Sequence, residues 1–169
     1  MDYNYTVQKR KVLNILIIDD DLDISETLQD FLESRGHYVE TVNEGTRGLT
    51  KNFNENYDII FIDYHLDLDG ASNVIKSDLQ EDSIINGAGI SEILNVCRNK
   101  TLLFGFTGDS SEIAINKFKK AGVDGIIFKP VEPEILTKLM LAIETKNEFD
   151  KISFGKAVRT LKNNIMIFI

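Results

Sequence analysis

Four short runs of apolar residues stand out along the chain, and each of them leads directly into a polar or charged side chain. Apolar runs of this length are typical of strands buried on both faces, as in a parallel sheet covered by helices. A fifth and less apolar segment predicts a strand nearer the edge of that sheet. The five predicted strands span residues 12–18, 38–42, 58–62, 102–106 and 125–128.

Apolar residues at helical spacing fill the intervals between these strands. Residues that commonly begin or end helices lie where such helices would start and stop. They are Asp21 or Asp23 and Gly36 for the first helix, Asp109 or Ser110 and Gly122 for the fourth, and Pro133 for the fifth. Five strand–helix units in succession predict a doubly wound α/β domain with a five-stranded parallel sheet, over about residues 12–146.

The two ends of the chain fall outside this alternation. Residues 1–11 are a polar lead-in, and residues 147–169 form a C-terminal extension. In that extension the apolar residues Phe154, Val158, Leu161, Ile165 and Phe168 recur at helical spacing and predict an added helix. The last five residues, Ile-Met-Ile-Phe-Ile, also suit a strand.

Composition narrows the class of protein. A net charge of -8 argues against a general nucleic-acid binder or a protein that binds anionic membranes. The single cysteine, Cys97, excludes an internal disulfide and any cysteine-based metal cage, and its spacing from Ile90 and Leu94 predicts a buried thiol. Because no stretch approaches the ~20 apolar residues of a membrane span and no signal peptide is visible, a cytoplasmic protein is expected.

Polar groups at the strand ends carry the candidate chemistry. Asp19 and Asp20 follow the first strand, Asp63 the third, Thr107 the fourth and Lys129 the fifth. In open α/β sheets, ligands bind at this edge, beyond the carboxyl ends of the strands. Clustered carboxylates suit Mg²⁺, which takes a few carboxylates together with water and phosphate oxygens. A free carboxylate beside such a metal, with a hydroxyl and an ammonium nearby, indicates phosphoryl transfer through an acyl phosphate.

At this point the chain resembles the receiver domain of two-component response regulators. The resemblance is carried by Ile-Leu-Ile-Ile-Asp19-Asp20-Asp21, Tyr57-Asp-Ile-Ile-Phe-Ile-Asp63, Gly-Phe-Thr107-Gly108 and Ile-Phe-Lys129-Pro130, in that order. It covers about residues 12–146 and implies a flavodoxin-like (βα)₅ fold. The family is a class of phosphorylation-controlled switches rather than of classical enzymes, although intrinsic autophosphorylation and autodephosphorylation chemistry would accompany the switch.

The same resemblance implies a role for each site residue. Asp63 matches the phosphoacceptor, and Asp19 and Asp20 match the acidic pair that holds Mg²⁺ together with Asp63. The backbone carbonyl of His65 would add a further metal ligand. Thr107 matches the hydroxyl that follows the phosphoryl group on activation. Lys129 matches the phosphate-binding lysine, and the bond from Lys129 to Pro130 matches one that is often cis in the family.

The chain departs from the family at two places. Ile126 occupies a position that is usually aromatic, three residues before the lysine, and Phe128 lies on the same strand face. A loop insertion follows the third strand, at about residues 71–87, and suits either a lid over the site or a tolerated surface insertion. His65 and Asp109 lie at positions that vary in the family and are candidates for tuning the lifetime of the phosphoryl group, whereas His37 is predicted to be a solvated turn residue.

The sequence thus predicts a stand-alone receiver that accepts a phosphoryl group from a histidine kinase or phosphotransfer protein. Output would pass to a downstream protein target, with a homodimer through the helix 4/strand 5 face or the C-terminal extension as a further possibility. One alternative is a receiver-shaped interaction module that works without phosphate. Another is a haloacid-dehalogenase-like phosphatase, which would use Asp19 and Asp21 but leaves Asp63 without a role.

Overall fold

A computed structural model describes residues 10–66, 86–97, 100–145 and 165–168 of the chain. Strands and helices alternate along it as the apolar pattern predicts. The strands are β1 Asn14–Ile18, β2 Tyr38–Val42, β3 Ile59–Ile62, β4 Leu102–Thr107, β5 Gly125–Phe128 and β6 Ile165–Ile167. The helices are α1 Leu22–Ser34, α2 Gly45–Asn54, α3 Gly87–Cys97, α4 Glu112–Ala121 and α5 Pro133–Glu144.

The strands form one sheet in the order β2-β1-β3-β4-β5-β6. The first five are parallel, as expected, and β2 lies at one edge. The sixth strand was not part of the predicted five-stranded sheet. It pairs antiparallel with β5, with Ile126 opposite Met166. The prediction of a helix is therefore wrong for residues 165–167, and the alternative prediction of a strand at the end of the chain is confirmed there. The rest of the predicted helix, up to residue 164, lies outside the described residues.

Side-chain alternation along the buried strands builds a core on each face of the sheet. Ile15 and Ile17 point to the side covered by α1 and α5, where they join Leu32 and Leu139. Leu16 and Ile18 point to the opposite side, which is covered by α2, α3 and α4. The result is the three-layer, flavodoxin-like arrangement predicted from the sequence, with helices on both faces of a mostly parallel sheet.

The helix ends follow the capping residues in most places. Asp21 caps α1 through its carboxylate, which accepts a hydrogen bond from the backbone N–H of Ile24, and Pro133 opens α5. Gly122 ends α4 in the left-handed conformation with φ 77°. The expected start of α4 was wrong by one or two residues, because Ser111 is the cap and accepts from the N–H of Ala114.

Two side chains lie elsewhere than predicted. Cys97, expected to be buried, is exposed because it is the last residue of α3. His37, expected to be solvated, is buried with 6% of its surface exposed. Its Nδ1 accepts from the N–H of Leu13 at 3.3 Å, and its Nε2 lies 3.1 Å from Glu144 Oε1.

This histidine belongs to a buried ionic cluster, formed by Arg35, His37 and Glu144, at the amino end of the sheet. Arg35 reaches Glu144 Oε1 with its Nε at 3.1 Å and its Nη2 at 2.9 Å. The other carboxylate oxygen, Oε2, is buried, and among the described residues it accepts no hydrogen bond, with Arg10 Nε 3.8 Å away. Burial lowers the pKa of His37, and the carboxylate of Glu144 only partly offsets that effect.

The predicted insertion falls almost entirely on residues outside the described ranges. Only its last two residues, Asn86 and Gly87, are described, and they correct the predicted end of the insertion, since Gly87 is already the first residue of α3. Asn86 caps this helix, with Oδ1 accepting from the N–H groups of Ala88 and Gly89 at 3.0 and 3.1 Å.

Among the helices of the described residues, none has both the length and the apolar character that a membrane span requires.

Candidate functional site

Three charged side chains converge at the carboxyl ends of the central strands. Asp19 follows β1, Asp63 follows β3 and Lys129 follows β5. The ammonium of Lys129 donates to Asp19 Oδ2 at 2.6 Å and to Asp63 Oδ1 at 2.8 Å. These residues are 110 and 66 positions apart from Lys129 in sequence, so the parallel sheet brings them together. The peptide bond between Lys129 and Pro130 is cis, as the family resemblance implied.

A third carboxylate completes an acidic cluster. Oxygen atoms of Asp19, Asp20 and Asp63 lie within 4.8 Å of one another, which is a spacing that a single metal ion can bridge. Asp19 and Asp63 are buried, while Asp20 is exposed. Hard carboxylate oxygens on a partly open site fit Mg²⁺, which keeps several water ligands. Three carboxylates beside one ammonium leave a negative excess that a divalent cation would balance, so the donor set fits the predicted metal.

Burial and charge act in opposite directions on the central pair. Burial raises the pKa of Asp19, and the hydrogen bond and charge of Lys129 offset this effect only in part. Burial alone would lower the pKa of Lys129, yet its hydrogen bonds to Asp19 and Asp63 together raise that pKa. The lysine is therefore held in its charged form between two carboxylates that repel each other.

The turn after β3 orients Asp63. The backbone N–H of His65 donates to Asp63 Oδ2 at 2.6 Å, and the N–H of Gly87 donates to the carbonyl of Tyr64 at 2.9 Å. A Cβ atom at position 87 would lie 1.7 Å from the carbonyl oxygen of Asp63. Only glycine therefore lets α3 begin this close to the backbone of Asp63.

Thr107 lies at the end of β4 and is fully buried. Its hydroxyl accepts from the N–H of Asp109 at 3.1 Å, and its carbonyl accepts from the N–H of Lys129 at 2.9 Å. The hydroxyl is thus engaged within its own loop, whereas Lys129 bridges the carboxylates directly. The structure brings together Asp19, Asp20, Asp63 and Lys129, and it places Thr107 on the neighbouring strand end.

A second pair of side chains flanks the mouth of the site. His65 Nε2 lies 3.1 Å from Asp109 Oδ2, which connects the loop after β3 to the loop after β4. The backbone and side chain of Ser111 lower the pKa of Asp109, and His65 adds to that effect. The side chain of His65 is 70% exposed, so the pair borders the site on its solvent side.

An apolar groove opens beside the acidic cluster, between α1 and the segment that follows β5. We call it the α1 groove, and it is lined by Ile24, Leu28, Phe31, Phe106, Val131 and Leu136. The same cavity reaches Asp19, Asp20, Asp63 and Lys129. The sequence did not reveal this groove, because the spacing of Ile24, Leu28 and Phe31 is also that of an ordinary core-facing helix.

The departure at position 126 is visible in the packing of β5. Ile126 is completely buried in the core beneath α3 and α4, and Phe128 packs against the same core while remaining partly exposed. The two side chains therefore lie on the same face of β5, as alternation predicted. The aromatic side chain on this face is that of Phe128, one residue before Lys129, whereas Ile126 occupies the position three residues before it.

The order of the five parallel strands and the acidic cluster at their carboxyl ends define a flavodoxin-like α/β domain. The family model of the response regulator receiver domain matches residues 15–141, and the chain belongs to that family. Proteins of this family act as phosphorylation switches rather than as classical enzymes. Among curated proteins, a transcriptional regulatory protein CpxR homolog of Haemophilus influenzae is 41% identical over 49 residues, which is 29% of this chain and 21% of that protein.

Solved structures support the fold. A CheY-like receiver domain protein of Methanospirillum hungatei gives a TM-score of 0.64 at 24% identity, over 89% of this chain and 99% of that chain. A two-component response regulator of Clostridium difficile gives a TM-score of 0.61 at 20% identity, over 90% and 100% of the two chains. At these identities the similarity concerns the fold.

Proposed function

We propose that the chain is a Mg²⁺-dependent phosphorylation switch in which Asp63 is the phosphoacceptor. The observation that carries this proposal is the bridge from Lys129 to both Asp19 and Asp63, with Asp20 completing the carboxylate cluster. The receiver unit covers residues 12–146, and residues 147–169 extend it.

In the reaction, a carboxylate oxygen of Asp63 attacks the phosphorus atom of the donor. An O–P bond forms while the bond from phosphorus to the donor nitrogen or oxygen breaks, and the electron pair leaves with the donor. Asp63 Oδ2 is held by the N–H of His65 and Oδ1 by Lys129, so the carboxylate is oriented before the donor arrives. Lys129 then stabilises negative charge on the transferred group.

The metal site would use Asp19, Asp20, Asp63 and the backbone carbonyl of His65. A bound Mg²⁺ supplies neutralisation of charge on the phosphoryl oxygens. The chain's own contribution is to hold the three carboxylates within bridging distance and to keep one of them, on Asp20, exposed to solvent. Asp21 is committed to capping α1, which supports Asp19 and Asp20 as the acidic pair.

Thr107 is proposed to report the phosphorylated state. Its hydroxyl would leave the N–H of Asp109 and follow the phosphoryl group on Asp63. Because β4 and β5 are paired, with Thr107 opposite Phe128, a movement at Thr107 acts directly on β5. We therefore assign the output surface to α4 and β5, where the side chain of Phe128 is partly exposed.

The phosphoryl donor is proposed to be a histidine kinase or phosphotransfer protein. The α1 groove supplies an apolar contact surface that is continuous with the acidic cluster, as a partner presenting a phosphohistidine beside an apolar helix face requires. We assign the switch to the cytoplasm, and its output to contact with a downstream protein.

The test is incubation with Mg²⁺ and acetyl phosphate followed by intact mass measurement. The expected result is one phosphoryl adduct, lost in Asp63→Ala and in a metal-free sample. Asp30→Ala, at an exposed acid on α1, is the matched control and should keep the adduct. An intact, folded protein that forms no adduct with acetyl phosphate or with a phosphohistidine donor would contradict the proposal and favour a receiver-shaped module that works without phosphate.

A further inference from the structure

The sixth strand occupies an edge that the parallel sheet would otherwise leave open. Strand β5 is the last parallel strand and consists of Gly125, Ile126, Ile127 and Phe128. It contains no charge and no proline, which are two of the devices that commonly protect a sheet edge. The opposite edge, β2, carries Glu40, which pairs with Lys51 at 2.6 Å. Protection of the β5 edge thus comes from β6 alone among the described elements.

The fit between β5 and β6 shows what this edge recognises. Gly125, Ile126 and Ile127 pair with Ile167, Met166 and Ile165, and the N–H of Phe168 donates to the carbonyl of Asp124 at 3.0 Å. Ile165 and Ile167 pack on the core beneath α1 and α5, while Phe168 packs on the core of the opposite face. Backbone pairing and alternate side-chain contacts are the two elements of recognition by strand addition.

Because Gly125 has no side chain, β6 can lie close to β5 at this position. A Cβ atom at this position would lie 2.6 Å from the carbonyl oxygen of Met166 and 2.7 Å from Cδ1 of Ile167. The β5 edge is therefore shaped for a second backbone, and a single methyl group would obstruct it.

Strand β6 is a short edge strand. It has three residues, pairs on one side with β5, and leaves Met166 38% exposed while Ile165, Ile167 and Phe168 are half-buried. Short elements with few buried contacts open at low free energy. A peptide that carries the same sequence of side chains as β6 can therefore take its place beside β5.

We propose that the β5 edge is a strand-binding site for an extended segment of a partner protein, with branched aliphatic side chains at alternate positions followed by an aromatic one, and that β6 is its intramolecular occupant. The binding partner displaces β6 and pairs with β5. This inference rests on the proposed function, because it specifies how the downstream target engages the surface formed by α4 and β5.

The test uses the full-length chain and a fluorescent peptide with the sequence of residues 163–169, flanked by lysines for solubility. Met166→Pro removes a backbone N–H from the middle of β6 and leaves β5 intact, so it should open the site. Peptide anisotropy should show binding at least tenfold tighter to this variant than to the wild-type protein or to Met166→Ala. A peptide of the same composition in scrambled order should not bind.

Adding Gly125→Ala to Met166→Pro should abolish binding, whereas adding Gly108→Ala should not, because a Cβ at position 108 meets no atom within 4 Å. If Met166→Pro does not fold, the pair Ile165→Ser and Ile167→Ser opens the same edge through lost side-chain contacts. A folded open variant that binds no more peptide than the wild type overturns the proposal, as does binding that survives Gly125→Ala. Self-association of the open variant in place of peptide binding also overturns it, in favour of a second copy as occupant.

The acetyl phosphate reaction is followed in the same samples. Peptide binding needs no phosphoryl group, so the two proposals fail separately. A phosphoryl adduct without peptide binding contradicts the strand site alone, and peptide binding without an adduct contradicts the phosphorylation switch alone.

Discussion

The two ends of the sheet each hold a buried carboxylate beside a cation, but the balance of charge differs. At the amino end, Glu144 is surrounded by Arg35 and His37 in a closed cluster. At the carboxyl end, one ammonium, that of Lys129, faces the carboxylates of Asp19 and Asp63 in a site open to a groove. The first arrangement joins the end of α1 to the end of α5, because Arg35 and His37 both contact Glu144. The second leaves negative charge for a ligand to neutralise, which is the property expected of a functional site.

The largest expected effect is on stability at the amino end. Glu144→Ala leaves Arg35 and His37 buried without their shared acceptor, and breaking a buried pair in this way costs about 3–5 kcal/mol of unfolding free energy. Urea unfolding measures the loss, with Glu26→Ala at an exposed position of α1 as the control. Phosphorylation by acetyl phosphate should persist wherever the variant is folded. A loss of less than 1 kcal/mol would contradict the stabilising role assigned to Glu144.

The next largest effect is on reaction rate at the carboxyl end. Asp20→Asn removes an exposed ligand of the proposed metal site. Because loss of an outer partner of a metal ligand alone costs about 10–100-fold in affinity or activity, Mg²⁺-dependent phosphorylation of this variant should slow about 100-fold. Because Asp20 is exposed, the free energy of unfolding should change by less than about 0.5 kcal/mol. The rate comes from intact mass time courses. Equal rates for Asp20→Asn and the wild type at limiting Mg²⁺ would remove Asp20 from the proposed metal site.

A third prediction concerns pH dependence at the amino end. The folded protein keeps His37 neutral with a lowered pKa, so the unfolded chain binds a proton first as the pH falls below the ordinary value of 6.5. The stability that depends on neutral His37 is complete above pH 6.5 and declines as the pH falls toward the lower, folded pKa. Unfolding free energies between pH 7.5 and 5 should therefore decline less steeply in His37→Gln. An identical slope in both proteins would contradict this origin.

The smallest effect is expected at the rim of the site. The exposed pair of His65 and Asp109 is worth up to about 1 kcal/mol, so His65→Ala should change the lifetime of the phosphorylated form by about fivefold or less. Asp109→Ala should act in the same direction if the pair works as a unit. Decay of the adduct after removal of acetyl phosphate gives both lifetimes. A change of 100-fold would instead place His65 within the reaction itself.

Most of the fold and the site were predictable because they depend on local pattern and one topological rule. The buried strands were visible as apolar runs, and Asp19, Asp63 and Lys129 follow them directly. Parallel strands bring such residues to the same edge whatever their separation in sequence. The rule predicts that these residues lie close together, whereas the bridge from Lys129 to both carboxylates is seen only in the structure.

The rest depended on contacts that no local pattern encodes. His37 is buried because Glu144 reaches it from α5, 107 positions away. Strand β6 exists because residues 165–167 find a free edge about forty positions earlier, and alone they suit a helix as well as a strand. Cys97 keeps helical spacing with Leu94, yet it is exposed at the last residue of α3.

The hydrogen bond between Gly87 and Tyr64 has a consequence for the evolution and engineering of this chain. This hydrogen bond joins the chain just before Leu66 to the chain just after Asn86. The separation of these two residues is therefore set by β3 and α3, and not by the number of residues between them. The start of α3 is thus fixed to the end of β3 by residues 63, 64 and 87 themselves. We therefore expect changes of sequence between Leu66 and Asn86 to leave the positions of β3 and α3 unchanged, provided that Gly87 is kept.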